Sequence, residues 1–169
     1  MSFIKFCLVL VDLFVFTVVY EHFVFGNPIK SSNDKYLEPF LNKTFVLSSS
    51  DRNFDEVMKA LGVGLIERQV ANFAKPVMRL TKNKSGEYLL SSESTFKNTV
   101  TAFEIGKEFD DETPDGRKVK SLFIQDKNKL TQIQHGDKTT TIVREFTADE
   151  VKVTVTVDNI VSVRTYSAL

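Results

Sequence analysis

The sequence predicts an all-β fold: a meander of about ten short strands closed into a barrel, with a pair of helices laid over it after the first strand. Three observations carry this. Val151, Val153, Val155 and Val157 alternate with Lys152, Thr154, Thr156 and Asp158, the period of an antiparallel strand with one wet face. From Val77 onward, short extended runs are separated by turn signals at regular spacing. A convincing helical period occurs in one stretch of the mature chain only, residues 53–76.

The chain begins with Lys5 ahead of the apolar run FCLVLVDLFVFTVVY, which Asp12 interrupts. That run is shorter than the roughly 20 residues of a spanning helix, and a central charge is costly there. A positive start, an apolar core and small residues further on describe a secretory signal. Val24 and Gly26 would precede the cut, so residues 1–26 are expected to be a signal peptide and the mature protein is expected outside the cell. An uncleaved anchor is the alternative. Residues 27–35, NPIKSSNDK, read as a flexible polar arm, and the segment 27–42 precedes a domain expected over 43–169.

Thr44 to Ser49 reads as the first strand, with Phe45 and Leu47 on one face. In the helical stretch, Phe54, Val57, Met58 and Leu61 form one apolar stripe. Asp51 and Asn53 offer capping oxygens, and Asp55 and Glu56 put negative charge in the first turn. Gly62 and Gly64 break the helix, a second stripe follows at Ile66, Val70 and Phe73, and Pro76 stops it. Strands are then expected over Glu87–Ser92, Thr95–Ile105, Lys118–Gln125, Leu130–Gln134, Thr139–Phe146, Val151–Val157 and Ile160–Tyr166. Asn83-Lys84-Ser85-Gly86 and Thr113-Pro114-Asp115-Gly116 are among the turns between them. A barrel of this size either fills with side chains or holds a small ligand.

Composition narrows the function. With 22 basic and 22 acidic residues the formal charge is zero, so no nucleic-acid footprint is expected. The leader removes Cys7, the only cysteine, so the mature chain must be stabilised by its core. Asn42-Lys43-Thr44 and Asn83-Lys84-Ser85 are glycosylation sequons that matter if the chain is secreted. Beyond the leader, His135 is the one histidine, and it stands beside a Gly136-Asp137 turn. Catalytic triads and zinc sites therefore lack parts, and an enzyme, a metal or a cofactor is not expected. Asp110, Asp111 and Glu112 read as a solvated loop face.

Arg144 is more informative. It shares a strand face with Ile142 and Phe146, and a buried guanidinium calls for an anion. Arg164 shares a face with Ile160, Ser162 and Tyr166, but Val161 and Val163 point the other way with an equal claim to the interior. Periodicity leaves that choice open.

NFDEVMKALGVG, RQVANFAKP, SSESTFKNT, GKEFDDETPDGRKVKS, TTTIVRE and VRTYSAL occur in this order, and through them residues 43–169 resemble the fatty acid-binding proteins, among the intracellular lipid-binding proteins of the calycin superfamily. The resemblance implies a ten-stranded antiparallel up-and-down β-barrel with a helix-turn-helix lid between strands 1 and 2. It also implies that Arg164 faces inward, as in the family's Arg-x-Tyr ending. Carried over by position, it gives Arg144, Arg164 and Tyr166 the ligand carboxylate, and Phe54, Met58, Ala71, Pro76 and Phe96 the tail and portal. The implied partner is a long-chain fatty acid or similar hydrophobic acid. Retinoic acid is an alternative ligand, and a membrane-surface structural barrel is an alternative role. A monomer is expected, with transient membrane contact through the lid. Family members are normally cytosolic; the leader makes this chain similar to the secreted lipid-binding proteins of nematodes. It departs from the family with Lys43-Thr44-Phe45 at the opening, an extra residue within Ser48–Arg52, and His135-Gly136-Asp137 where an aromatic and an Asp-Gly turn are usual.

Overall fold

The computed structural model describes residues 34–169. The expected leader and the arm up to residue 33 lie outside the described residues. Two short 3-10 turns, Asp34–Tyr36 and Glu38–Phe40, lead into β1 (Thr44–Ser50). Helices α1 (Asn53–Ala60) and α2 (Leu65–Phe73) follow. Then come β2 (Val77–Lys82), β3 (Tyr88–Glu93), β4 (Asn98–Phe103) and β5 (Glu108–Glu112). The chain finishes with β6 (Lys118–Asp126), β7 (Lys129–His135), β8 (Thr140–Phe146), β9 (Glu150–Val157) and β10 (Ile160–Ala168).

The ten strands form one sheet in the order β4-β3-β2-β1-β10-β9-β8-β7-β6-β5. Because β10 pairs antiparallel with β1, the meander wraps round into a nearly closed barrel. The expected all-β fold and the position of the helix pair are both observed. Only β4 and β5 border a gap in the backbone pairing. Side chains bridge it. The Phe103 ring of β4 stacks on Phe123 of β6 at 3.7 Å, with Tyr88 and Phe109 stacked outside that pair at 5.6 and 6.2 Å. Lys97 reaches the Pro114 carbonyl from the other side of the gap. Ring contact thus replaces ladder hydrogen bonds where the barrel would otherwise expose two edges.

The strand alternation of β9 is realised, with Val151, Val153, Val155 and Val157 all buried. β1 carries a bulge: Leu47 faces Tyr166 but Ser49 faces Thr165, leaving Ser48 unpaired in the register. Its hydroxyl donates to the Thr165 carbonyl at 3.0 Å.

Three expectations are corrected. First, the arm ends sooner than read, since Asp34 and Lys35 belong to a 3-10 turn and Leu37 behind them is fully buried. Phe40 stacks on Phe146 at 5.6 Å, so this segment closes the barrel end where β1 begins. Second, Asp51 and Asn53 do not cap α1. Asp51 instead accepts from Ser162 Oγ and Val163 N, each at 2.7 Å, and Asn53 Nδ2 donates to the Val161 carbonyl at 2.8 Å. These bonds staple the start of α1 to β10. Third, Asp110, Asp111 and Glu112 lie on strand β5 rather than in a loop, with Asp110 paired to Lys120 and Glu112 to Lys118 on β6. The apolar stripe on α2 packs into no core face. No residue of α2 is buried, and Leu65, Ile66 and Phe73 are exposed. Of the two glycines between the helices, Gly62 takes the left-handed conformation (φ 81°), whereas Gly64 is extended.

Candidate functional site

A cavity of about 540 Å³ lies between the sheet and the helix pair. All eight residues singled out in the sequence line it: Phe54, Met58, Ala71, Pro76, Phe96, Arg144, Arg164 and Tyr166. Helix α1 sends Phe54 and Met58 downward, because Val57 and Met58 are the residues it buries against the sheet. Ala71 and Pro76 come from α2 and its exit. Phe96 stands in the turn before β4, 60% exposed, at the rim.

The polar end is built by β7, β8 and β10. Thr140, Ile142, Arg144 and Phe146 alternate with outward residues, and Thr140 and Phe146 are almost completely buried. That register carries Arg144 inward with them. Its Nη2 donates to Gln132 Oε1 at 3.0 Å, while Nη1 is buried with no partner among the described residues. Burial pushes the Arg144 guanidinium down to about 10, opposed by the Tyr166 phenol.

Arg164 faces inward with Ser162 and Tyr166, all three buried, and Val161 on the opposite face is 44% exposed. Its guanidinium stacks on the Phe54 ring at 3.9 Å and lies 5.9 Å from the Tyr166 ring. The contact with Phe54 means that a lid residue roofs a barrel arginine. Arg164 Nε is buried without a partner among the described residues. Burial lowers its pKa, and Tyr166 and Asp51 work the other way.

Two contributors were missed in the sequence. Gln132 is 4% exposed and orients Arg144. Its signal was present: Leu130, Gln132 and Gln134 share the inward face of β7, and a polar residue at an inward register needs a partner. Asp51 had no such signal, because it sits in a connection rather than in a repeating element. Chemically, the site offers an apolar chamber, a flat aromatic roof, and two buried cations with N–H groups to spare. That arrangement can hold an anionic head group on an apolar tail.

Known proteins fit this geometry. The profile of the lipocalin / cytosolic fatty-acid binding protein family matches residues 43–168. The chain belongs to that family. The muscle fatty acid-binding protein of Schistocerca gregaria is 44% identical over 120 residues, which is 70% of this chain and 90% of that protein. A fatty acid-binding protein of Schistosoma japonicum is 45% identical over 123 residues, 72% of this chain and 92% of the relative. Among solved structures, a Drosophila melanogaster brain fatty acid-binding protein has 50% identity and a TM-score of 0.73, covering 76% of this chain and 99% of its own. The Schistosoma mansoni fatty acid-binding protein, solved in complex with arachidonic acid, has 41% identity and a TM-score of 0.75, covering 79% and 98%. Membership in this family extends over the barrel and helix pair; the match begins at Lys43.

Proposed function

We propose that this protein is a non-covalent carrier of long-chain fatty acids, with the carboxylate held by Arg144, Arg164 and Tyr166 and the tail among Phe54, Met58, Ala71, Pro76 and Phe96. The observation that carries this is the pair of buried arginines, each with an N–H unpartnered among the described residues, in one apolar cavity. A relative solved with arachidonic acid supports the ligand class. Burying about fifteen methylenes at roughly 0.8 kcal/mol each supplies some 12 kcal/mol. Association costs on the order of 4–15 kcal/mol, so the tail supplies most of the affinity and the arginines choose the head group. Another hydrophobic acid, such as retinoic acid, would meet the same cations, whereas an alcohol would leave them uncompensated.

The test is titration of delipidated wild type and Arg164→Gln with palmitate and with hexadecanol. Palmitate affinity is expected to fall by about 1.5–3 kcal/mol, the range for hydrogen bonds to charged groups, with hexadecanol little changed. Equal losses for acid and alcohol would make the arginine a packing residue and place the head group elsewhere.

The carrier is proposed to act outside the cell, on the strength of the Lys5-plus-apolar-run leader ahead of the family match. N-terminal sequencing of protein from culture medium checks it; an intact Met1, or protein confined to the cytosol, defeats it. Exposed Leu65, Ile66 and Phe73 on α2 support brief membrane contact by a monomer. Ligand transfer whose rate does not depend on vesicle concentration would rule that contact out.

A further inference from the structure

Arg144 is the start of a chain of hydrogen bonds that crosses four neighbouring strands. Its Nη2 donates to Gln132 Oε1 on β7 at 3.0 Å. Gln132 Nε2 donates to Ser121 Oγ on β6 at 3.4 Å. Ser121 Oγ donates to Asp111 Oδ2 on β5 at 2.7 Å. Gln132 is 4% exposed and Ser121 is fully buried. Asp111 lines the cavity and stands on a strand bordering the gap in the barrel.

The chain has only one direction. A guanidinium has donors and no acceptor, and a carboxylate has acceptors and no donor. Asp111 therefore claims the one proton of Ser121. The serine oxygen is left to accept, which draws the amide N–H₂ of Gln132 towards it. The amide oxygen must then face Arg144. Rotating that amide by half a turn would set N–H groups against the guanidinium and lose both bonds. Each link polarises the next in a poorly solvated interior.

We propose that Asp111, Ser121 and Gln132 are positioning residues for Arg144: a one-way relay that occupies Nη2 and thereby presents Nη1 to the ligand head group. Asp111 acts as a remote counter-charge that keeps the guanidinium in place without neutralising it by direct contact. A carboxylate bonded directly to Arg144 would compete with the ligand; one held two side chains away does not. This rests on the carrier reading for its effect on binding, but the orientation of Arg144 does not need a ligand.

Ser121→Ala removes the hydroxyl from the middle of the relay, and Ser121→Thr restores one. Palmitate affinity of Ser121→Ala is expected to fall about fivefold, as Arg144 loses its fixed orientation, with hexadecanol changed less than about twofold. Ser121→Thr should recover the acid affinity. In the ligand-free protein, 15N spectra should show the Arg144 Nη signals separate in wild type, because rotation of the pinned guanidinium is hindered, and merged in Ser121→Ala. Asp111→Ala, a change on an edge strand, should do the same and covers the case in which Ser121→Ala folds poorly. Equal weakening of acid and alcohol, or Arg144 signals unmoved by either variant, overturns the relay. If Arg164→Gln fails its own test while the Arg144 signals still respond to Ser121→Ala, the relay stands and the carboxylate assignment falls.

Discussion

Arg144 shows how far burial can move a guanidinium: its pKa falls to about 10, yet it stays cationic at neutral pH. The consequence for stability has a definite sign. Between about 10 and the ordinary arginine value the unfolded chain binds the proton more tightly than the folded one, so this group makes stability rise with pH only in that window. Below it both states hold the proton and the contribution is level. Binding follows the same logic. Palmitate affinity should be flat from about pH 6 to 9 and fall only as the ligand carboxyl protonates, near the ordinary carboxyl range of about 4. Hexadecanol affinity should show no such fall. Isothermal titration across that range decides it, and a loss of palmitate affinity between pH 7 and 9 would contradict the charge assigned to Arg144. The inward turn of Arg144 was legible in the sequence because Ile142 and Phe146 fix the face. That of Arg164 was not legible from alternation, since Val161 and Val163 make the other face of β10 equally apolar; only the Arg-x-Tyr resemblance implied it. Alternation reports faces, and where both are apolar only the neighbouring strands decide which one is inside.

At the scale of elements, the two helices of the lid are unlike each other. Helix α1 is docked by Val57 and Met58 and stapled to β10 by Asp51 and Asn53. Helix α2 buries nothing and is held chiefly through α1: Asp55 Oδ1 accepts from Arg68 Nε at 3.2 Å and from Asn72 Nδ2 at 3.0 Å. Arg68 also donates to the Val63 carbonyl at 2.9 Å. Opening for ligand should therefore be a movement of α2 away from α1, with Gly62 as the left-handed pivot. Asp55→Ala removes the acceptor shared by Arg68 and Asn72. Stopped-flow release of a bound fluorescent fatty acid should quicken by up to about fivefold, the equivalent of ~1 kcal/mol for a half-exposed pair, with the barrel's melting temperature little changed. An unchanged release rate would show that ligand leaves by another route, of which the gap between β4 and β5 is the obvious one. The sequence announced the helix pair through its period, but not which helix was anchored, because both carry an apolar stripe. It also hid β5, where Asp110, Asp111 and Glu112 look like a loop. A strand bordering a gap tolerates such charge, provided that lysines lie across from it, as Lys118 and Lys120 do.

Over the whole described domain, the two ends of the barrel are covered in different ways. At the end where β1 leaves Ser50, the opening is covered by helices that bury little. At the end where β1 begins, the cover is tight: Leu37 is fully buried, Phe40 stacks on Phe146, and Phe146 meets Phe45 edge-on at 6.1 Å. Asn42 N donates to the Leu80 carbonyl at 2.8 Å and fixes the entry into β1. None of Leu37, Phe40, Phe45 or Phe146 lines the cavity. The polar composition of the arm disguised this plug, since Leu37 and Phe40 follow it in a segment too short to show a repeating pattern. Removing the plug should therefore separate stability from affinity. Leu37→Ala is expected to cost about 2–5 kcal/mol of stability, the range for emptying a buried leucine site. Palmitate affinity, measured well below the melting temperature, should stay within about twofold of wild type, because the cavity wall is untouched. Urea unfolding and titration of the same preparation supply both numbers. A loss of affinity matching the loss of stability would mean that the plug shapes the cavity and that the two ends are coupled. The same separation bears on the leader: a cut after Gly26 leaves Leu37 in place, whereas one beyond Leu37 would strip the tight cover from the end where β1 begins.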